Sequence, residues 1–312
     1  MQIMTSALLS ALSRFGPLPS QLLSSLQDAI QLNVASAIAE DIGDGDWTAQ
    51  LVPAGQTANA TIISRERAVI CGIPWVEACF QALAPDSIIG WKVTEGEQVS
   101  PGQALCEISG KARGLLTAER CALNFLQTLS ATATATRQYV DAIAGTDARI
   151  METRKTIPGL RVAQKYAVTV GGGYNQRMGL YDGILIKENH IAAAGSIEAV
   201  LASAEAIDQG TSSQIISKQI EVESLEQLAS AIHAGARLIL LDNFTVPALR
   251  EAVKLNAGRA QLEASGGITL ENVREIALTG VDRISIGGLT KHVQAIDLSM
   301  RFTAEYAGIE AD

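Results

Sequence analysis

Basic residues are in deficit. The 312-residue chain has 24 Lys and Arg against 33 Asp and Glu, a formal net charge of −9. A nucleic-acid binder carries a basic surplus or stripe, so that class of partner is excluded. Histidine and cysteine are scarce, at three and four. Cys71, Cys79, Cys106 and Cys121 form no C-x-x-C pair, which argues against a zinc cluster. Few, scattered thiols fit a reducing cytoplasm. No apolar run approaches the roughly 18 residues that mark a membrane span. Met1–Ile30 is broken by Arg14, Pro17, Pro19 and several serines. It lacks the basic start and unbroken apolar core of a signal peptide. These absences describe a cytoplasmic protein with no nucleic-acid and no membrane partner. Hydrophobic residues are plentiful, at 47%, enough for the core of one large domain or two ordinary ones.

The second half alternates regularly. Strands are expected at Ala148–Glu152, Gly183–Lys187, Ile215–Glu221, Arg237–Asp242, Ala260–Ala264 and Arg283–Ile286. Amphipathic helices are expected at Leu160–Val170, Ser196–Ile207, Ser224–Ala234, Val246–Leu255 and Leu270–Thr279. Short buried strands alternating with helices make βα units and a parallel sheet, and this many units suggest closure into a barrel. Charge and glycine recur just after the strands: Glu152 with Arg154 and Lys155, then Lys187, Glu221, Asp242 with Asn243, Glu263 with Ser265-Gly-Gly267, and Gly287-Gly288. A barrel builds its active site at those ends, and its late loops form the usual phosphate site. Arg154, Lys155, Arg177 and Lys187 are thus a local cationic exception on an acidic protein. Arginine offers a planar fork to carboxylate or phosphate and lysine a point charge. Paired carboxylates such as Glu221 and Asp242 can hold magnesium or ribose hydroxyls.

The first half reads differently. Thr57–Arg65 and Ala68–Ile70 alternate like strands, and Trp91–Ile108 is cut by tight turns in the manner of a biotinyl-type hammerhead sheet, without the modifiable lysine at its tip. A separate small α/β domain is expected. Leu115–Leu129 reads as a helix with Arg120 near its apolar stripe. Asp41-Ile-Gly-Asp-Gly-Asp-Trp-Thr48 lacks the closing glutamate of a calcium loop and reads as a structural turn. Gly171-Gly-Gly173 reads either as a helix stop or as a loop that substrate approaches closely; neighbouring Arg177 favours the second.

Several stretches together resemble quinolinate phosphoribosyltransferase. They are Leu116-Thr-Ala-Glu-Arg-Cys-Ala-Leu-Asn-Phe-Leu126, Glu152-Thr-Arg-Lys-Thr-Ile-Pro-Gly-Leu-Arg161, Gly171-Gly-Gly-Tyr-Asn-Gln-Arg177, Leu185-Ile-Lys-Glu-Asn-His190, Glu221-Val-Glu223, Leu241-Asp-Asn243, Glu263-Ala-Ser-Gly-Gly267 and Gly288-Leu-Thr-Lys-His292. The resemblance runs from about Glu40 to Phe302, in order and near the family's spacing. It implies conversion of quinolinate and phosphoribosyl pyrophosphate to nicotinate mononucleotide, pyrophosphate and carbon dioxide, with Mg2+, in NAD biosynthesis. It implies an incomplete α/β barrel over residues 128–292, preceded by a hammerhead-like α/β domain over 1–127 to which 293–312 return. It also implies a homodimer with shared active sites.

By the same resemblance, Arg120, Arg154, Arg177 and Lys187 grip the quinolinate carboxylates, and Lys155 faces the pyrophosphate. Glu221 and Asp242 serve ribose and metal. Ser265, Gly266, Gly267, Gly287 and Gly288 hold the 5′-phosphate. Thr153, His190 and Ile286 complete the substrate-binding set, and Lys155, Lys187, Glu221 and Asp242 are the implied catalytic groups. Two positions depart from the family: Glu152 stands where Asp is frequent, and Gln176 where His is frequent. Glutamine keeps hydrogen bonding but not charge. The alternatives are a molybdate-operon-type paralogue and a Schiff-base barrel aldolase using Lys155 or Lys187.

Overall fold

The computed structural model describes residues 20–210 and 216–303. Its backbone divides into two compact units. The first gathers described residues up to 137 with 156–172 and 291–303; the second holds 138–155 and the described part of 173–290. Residues 304–312 of the expected returning tail, and Ile215 of an expected strand, lie outside the described residues.

In the first unit, strands β1 (Thr57–Ser64), β2 (Ala68–Val69), β3 (Ile88–Trp91), β4 (Gln98–Val99) and β5 (Ala104–Lys111) are joined by the strand Leu298–Phe302. That strand, β1, β5 and β3 form a four-stranded antiparallel sheet in this order. Ala58, Ala60, Ile62 and Ser64 alternate inward along β1, as a sheet with one buried face requires. β2 pairs with β4 on one side. Backbone amides in and beside it use the long helix Ala112–Ala142 instead: Val69 N donates to Thr134 Oγ1 at 2.8 Å and Cys71 N to Ser130 Oγ at 2.9 Å. Buried backbone donors are thereby satisfied. The unit also holds the helix Arg161–Val170, close to an expected one, and the helices Ser20–Ile42 and Ile73–Leu83, neither of which is among the expected elements.

The acidic turn is structural, as expected: Asp46 accepts from Ala49 N and Thr117 Oγ1, each at 2.9 Å. Gly171 is a correction. It ends the helix Arg161–Val170 against the long helix, where an added Cβ would lie 2.6 Å from Ala133 O and from Thr136 Cβ. Gly172 has φ +92° and sits under Arg137. Close helix packing and a left-handed exit account for these two glycines, rather than approach of substrate to backbone.

In the second unit the alternating pattern folds into β6 (Arg149–Met151), β7 (Gly183–Ile186), β8 (Ser217–Val222), β9 (Leu238–Asp242), β10 (Gln261–Ser265) and β11 (Arg283–Ser285). They form one parallel sheet in the order β6-β11-β10-β9-β8-β7. Consecutive strands β6 and β7 are its two edges. Between them Tyr174 makes an isolated parallel bridge to Met151. The result is an incomplete α/β barrel. Ser224 and Thr245 cap the helices Leu225–His233 and Val246–Asn256, accepting from Gln227 N and Ala248 N. The helix expected at Leu270–Thr279 is shorter, Val273–Ala277. The segment after Lys187 is itself a helix, Glu188–Ala194.

Candidate active site

Register decides which side chains meet. In a parallel ladder, paired residues and their second neighbours along each strand share a face. Leu185 pairs with Gln219, Glu221 with Leu240, and Leu240 with Glu263, while Asp242 pairs with Ser265 and Ser265 with Ser285. One face therefore carries Lys187, Glu221, Asp242 and Ser265 at the strand ends, with Gln219 and Glu263 one layer deeper. Contacts agree. Lys187 Nζ donates to both carboxylate oxygens of Glu221, at 3.0 and 2.8 Å. Deeper down, Gln219 Nε2 donates to Glu263 Oε2 at 3.0 Å.

The cations cluster at the sheet's opening. Arg154 follows β6; it is half-buried, and its Nε is buried with no hydrogen-bond partner. Arg177 is pinned by a 2.7 Å bond from its guanidinium to Gly183 O. Burial first, and then the Arg154 charge, hold the Arg177 guanidinium below its ordinary pKa, with Asp182 opposing. An anion bound beside Arg177 would offset both effects. Lys155 N donates to Thr153 Oγ1 at 3.1 Å, and Lys155 O accepts from Thr290 Oγ1 at 2.9 Å. An added Cβ at Gly287 would lie 3.0 Å from Lys155 Cδ, so this glycine gives the lysine stem its room. Ile286 is buried and donates its amide to Met151 O at 2.9 Å.

Asp242 accepts from the side chain of Asn243 at 2.7 Å. Asn243 is left-handed, with φ 57°, and its amide reaches Ser265 O at 2.9 Å. Gly266 has φ +97°, and a Cβ there would fall 2.1 Å from Asn243 Oδ1, so that position requires glycine. Gly267 is also left-handed, with nothing within 4 Å of its missing Cβ. His190 Nδ1 accepts from Lys187 N at 3.1 Å, leaving Nε2 for any other contact. Gly288 begins the short helix Gly288–Lys291.

Thr153, Arg154, Lys155, Arg177, Lys187, His190, Glu221, Asp242, Ser265, Gly266, Gly267, Ile286, Gly287 and Gly288 all belong to the second unit. Arg120 belongs to the first unit, exposed on the helix Ala112–Ala142. Sequence reasoning missed Gln219, although it stands two residues before Glu221 on one strand and the period of two marks it. Among the described residues no group of three or more His, Cys, Asp or Glu is placed to hold a metal ion.

Comparison with known proteins agrees with this architecture. The N-terminal domain of quinolinate phosphoribosyl transferase matches residues 46–130, and the C-terminal domain of the same enzyme matches residues 132–301. A probable carboxylating nicotinate-nucleotide pyrophosphorylase of Bacillus subtilis is 41% identical over 274 residues, covering 87% of this chain and 92% of that one. The carboxylating nicotinate-nucleotide pyrophosphorylase of Mycobacterium leprae is 41% identical over 285 residues, covering 88% and 97%. The solved nicotinate-nucleotide pyrophosphorylase of Francisella tularensis superposes with a TM-score of 0.85 at 39% identity, covering 93% of this chain and 99% of that one. With both family domains matched in order, and close relatives aligned over most of its length, the chain belongs to the quinolinate phosphoribosyl transferase family.

Proposed function

We propose that this chain joins quinolinate to phosphoribosyl pyrophosphate at the strand ends of the second unit, giving nicotinate mononucleotide, pyrophosphate and carbon dioxide for NAD biosynthesis. The observation that carries the site is the cationic opening beside β6 and β7, where Arg154 Nε is buried without a hydrogen-bond partner and Arg177 is fixed by its bond to Gly183 O. A dicarboxylate supplies acceptors for those guanidiniums. Arg154 and Arg177 then hold the two carboxylates and orient the ring. Lys187 joins them at the carboxylates, Lys155 meets the pyrophosphate, and Glu221 and Asp242 position the ribose. Ser265, Gly266, Gly267, Gly287 and Gly288 receive the 5′-phosphate through backbone amides.

The pyridine nitrogen attacks ribose C1 as the C1–O bond to pyrophosphate breaks, through an oxocarbenium-like state. Cations placed at the leaving group stabilise it. The ring nitrogen is then quaternary. When the C–C bond to the 2-carboxylate breaks and carbon dioxide leaves, its electron pair stays on the ring beside that positive nitrogen, and a proton replaces the carboxylate. The protein orients the partners and excludes water. Asp242 and Glu221 would hold a Mg2+ ion, since such sites need only one or two protein carboxylates, and the ion would supply charge neutralisation at the pyrophosphate. A Schiff-base aldolase working through Lys187 is disfavoured because Lys187 Nζ is hydrogen-bonded to both oxygens of Glu221; borohydride trapping in the presence of substrate tests Lys155 as well, since the transferase forms no imine. We further propose a homodimer whose sites use Arg120 of the neighbouring copy, and a cytoplasmic setting. Buried free thiols suit that setting; among the described residues no single helix is long and apolar enough to cross a membrane.

Purified protein mixed with quinolinate, phosphoribosyl pyrophosphate and Mg2+ should yield nicotinate mononucleotide. Nicotinate lacks the 2-carboxylate and leaves a cation unpaired, at a cost of roughly 1.5–3 kcal/mol. Its kcat/KM should be lower by about tenfold or more. Comparable turnover of the two acids would sink this assignment.

A further inference from the structure

The site's floor contains a polar chain that the reaction does not use directly. Glu152 and Glu263 are both fully buried, and Gln219 nearly so. Gln176 ties the two acids together. Its backbone amide donates to Glu152 Oε1 at 2.7 Å, and its side-chain Nε2 donates to Glu263 Oε1. Glu263 Oε2 accepts from Gln219 on β8. Glu152 stands two residues before Arg154, and Gln176 immediately before Arg177. On the far side of Arg177, Asp182 accepts from Met178 N and Gly179 N at 2.6 and 2.9 Å. Arg177 therefore lies between two anchors, one made by its own loop and one rooted in the barrel interior.

We infer that Glu263 is a positioning residue: acting through Gln176, it fixes the loop that carries Arg177 where a quinolinate carboxylate is met. The inference rests on the reading of Arg177 as a quinolinate ligand. Nothing local explains the burial of Glu263. Carboxylates enter interiors when their oxygens are satisfied, and here the donors arrive from Gln219 on β8, Ser285 on β11 and Gln176 in the connection after Gly173, not from neighbours on β10. A second-layer acceptor that locks a binding arginine's loop is the arrangement that keeps binding geometry within tenths of an ångström. Misplacement by about 1 Å costs on the order of a hundredfold.

The test separates positioning from mere support of the fold. Gln176→Leu removes the side-chain link while keeping the backbone bond to Glu152. Glu263→Met removes the acceptor at similar length. Both should weaken quinolinate binding by about ten- to a hundredfold in calorimetric titration, with KM for phosphoribosyl pyrophosphate changed by less than about twofold. Glu263→Gln keeps one acceptor for Gln176 and should recover most of the affinity lost in Glu263→Met. The double variant Gln176→Leu/Glu263→Met should be no weaker than the worse single one, because the two act as one link. If Glu263→Met fails to fold, Gln176→Leu alone still reads the link, since Gln176 is only half-buried. Unchanged quinolinate affinity in Gln176→Leu, or fully additive losses, would overturn the inference. Arg177→Ala is measured alongside. If it loses quinolinate while Gln176→Leu does not, the positioning role alone fails. If Arg177→Ala keeps quinolinate, the site reading fails and takes the positioning role with it.

Discussion

Glu95 shows how far burial can move one group. It is 4% exposed and accepts from Gly72 N at 2.7 Å, Ile73 N at 3.2 Å and Tyr166 OH at 2.9 Å. It thereby caps the helix Ile73–Leu83 and ties it to the helix Arg161–Val170, where the Trp75 and Tyr166 rings pack at a tilt of 48°, with centroids 5.6 Å apart. Burial raises its pKa above the ordinary carboxylate value, and these hydrogen bonds offset only part of the rise. A group whose pKa is raised on folding stabilises most below its unfolded pKa, and that contribution is lost as pH rises through the folded value. Wild type should therefore lose stability relative to Glu95→Gln as pH rises above the ordinary carboxylate value of about 4. Thermal unfolding on both sides of that pH checks it; wild type gaining on the variant as pH rises would refute the assignment. At this same scale the strand-end cations were legible in the sequence, because charge after an apolar run has no packing reason to be there. The link from Gln176 to Glu263 was not. It joins residues 87 positions apart, and only the register of the closed sheet places them together.

Element by element, the βα rhythm was readable because periods of two and 3.6 residues differ sharply. The helix Ser20–Ile42 was not, since its apolar residues form no clean stripe among serines and glutamines. The helix Ile73–Leu83 was hidden by its mostly apolar composition: Pro74, Trp75, Val76, Ala78, Cys79 and Phe80 are all buried, so little amphipathic signal remains. The Gly171 turn misled for a different reason. A glycine run beside an arginine suits both a substrate loop and a tight helix contact, and sequence alone does not choose between them. The contact with Ala133 and Thr136 predicts that Gly171→Ala is destabilising by about 1–3 kcal/mol through overpacking. Urea unfolding should show a lower midpoint with an unchanged slope. A midpoint within error of wild type would mean that the long helix yields without cost.

For the whole molecule, the proposed sharing of sites across a homodimer has a direct consequence. Arg120 lies in the first unit and Lys155 in the second. Arg120→Ala and Lys155→Ala should each be nearly inactive alone. Mixed dimers, about half of a random co-assembly, hold one site with both defects and one with neither, so activity should return to about a quarter of wild type. No recovery in mixed dimers verified by mass would place Arg120 in its own chain's site or in none. Connectivity adds a constraint on birth rather than on function. The strand Leu298–Phe302 completes the sheet of the first unit along β1, and the neighbouring contact from Asp297 N to Glu66 spans 231 positions. A ribosome needs on the order of 10–50 s to add that many residues. Throughout that interval one edge of β1 has no native partner, and an unpaired edge is a template for another chain. The unit begun first thus waits for the strand Leu298–Phe302, and the nascent protein stays open to association with its copies along β1 until that strand emerges.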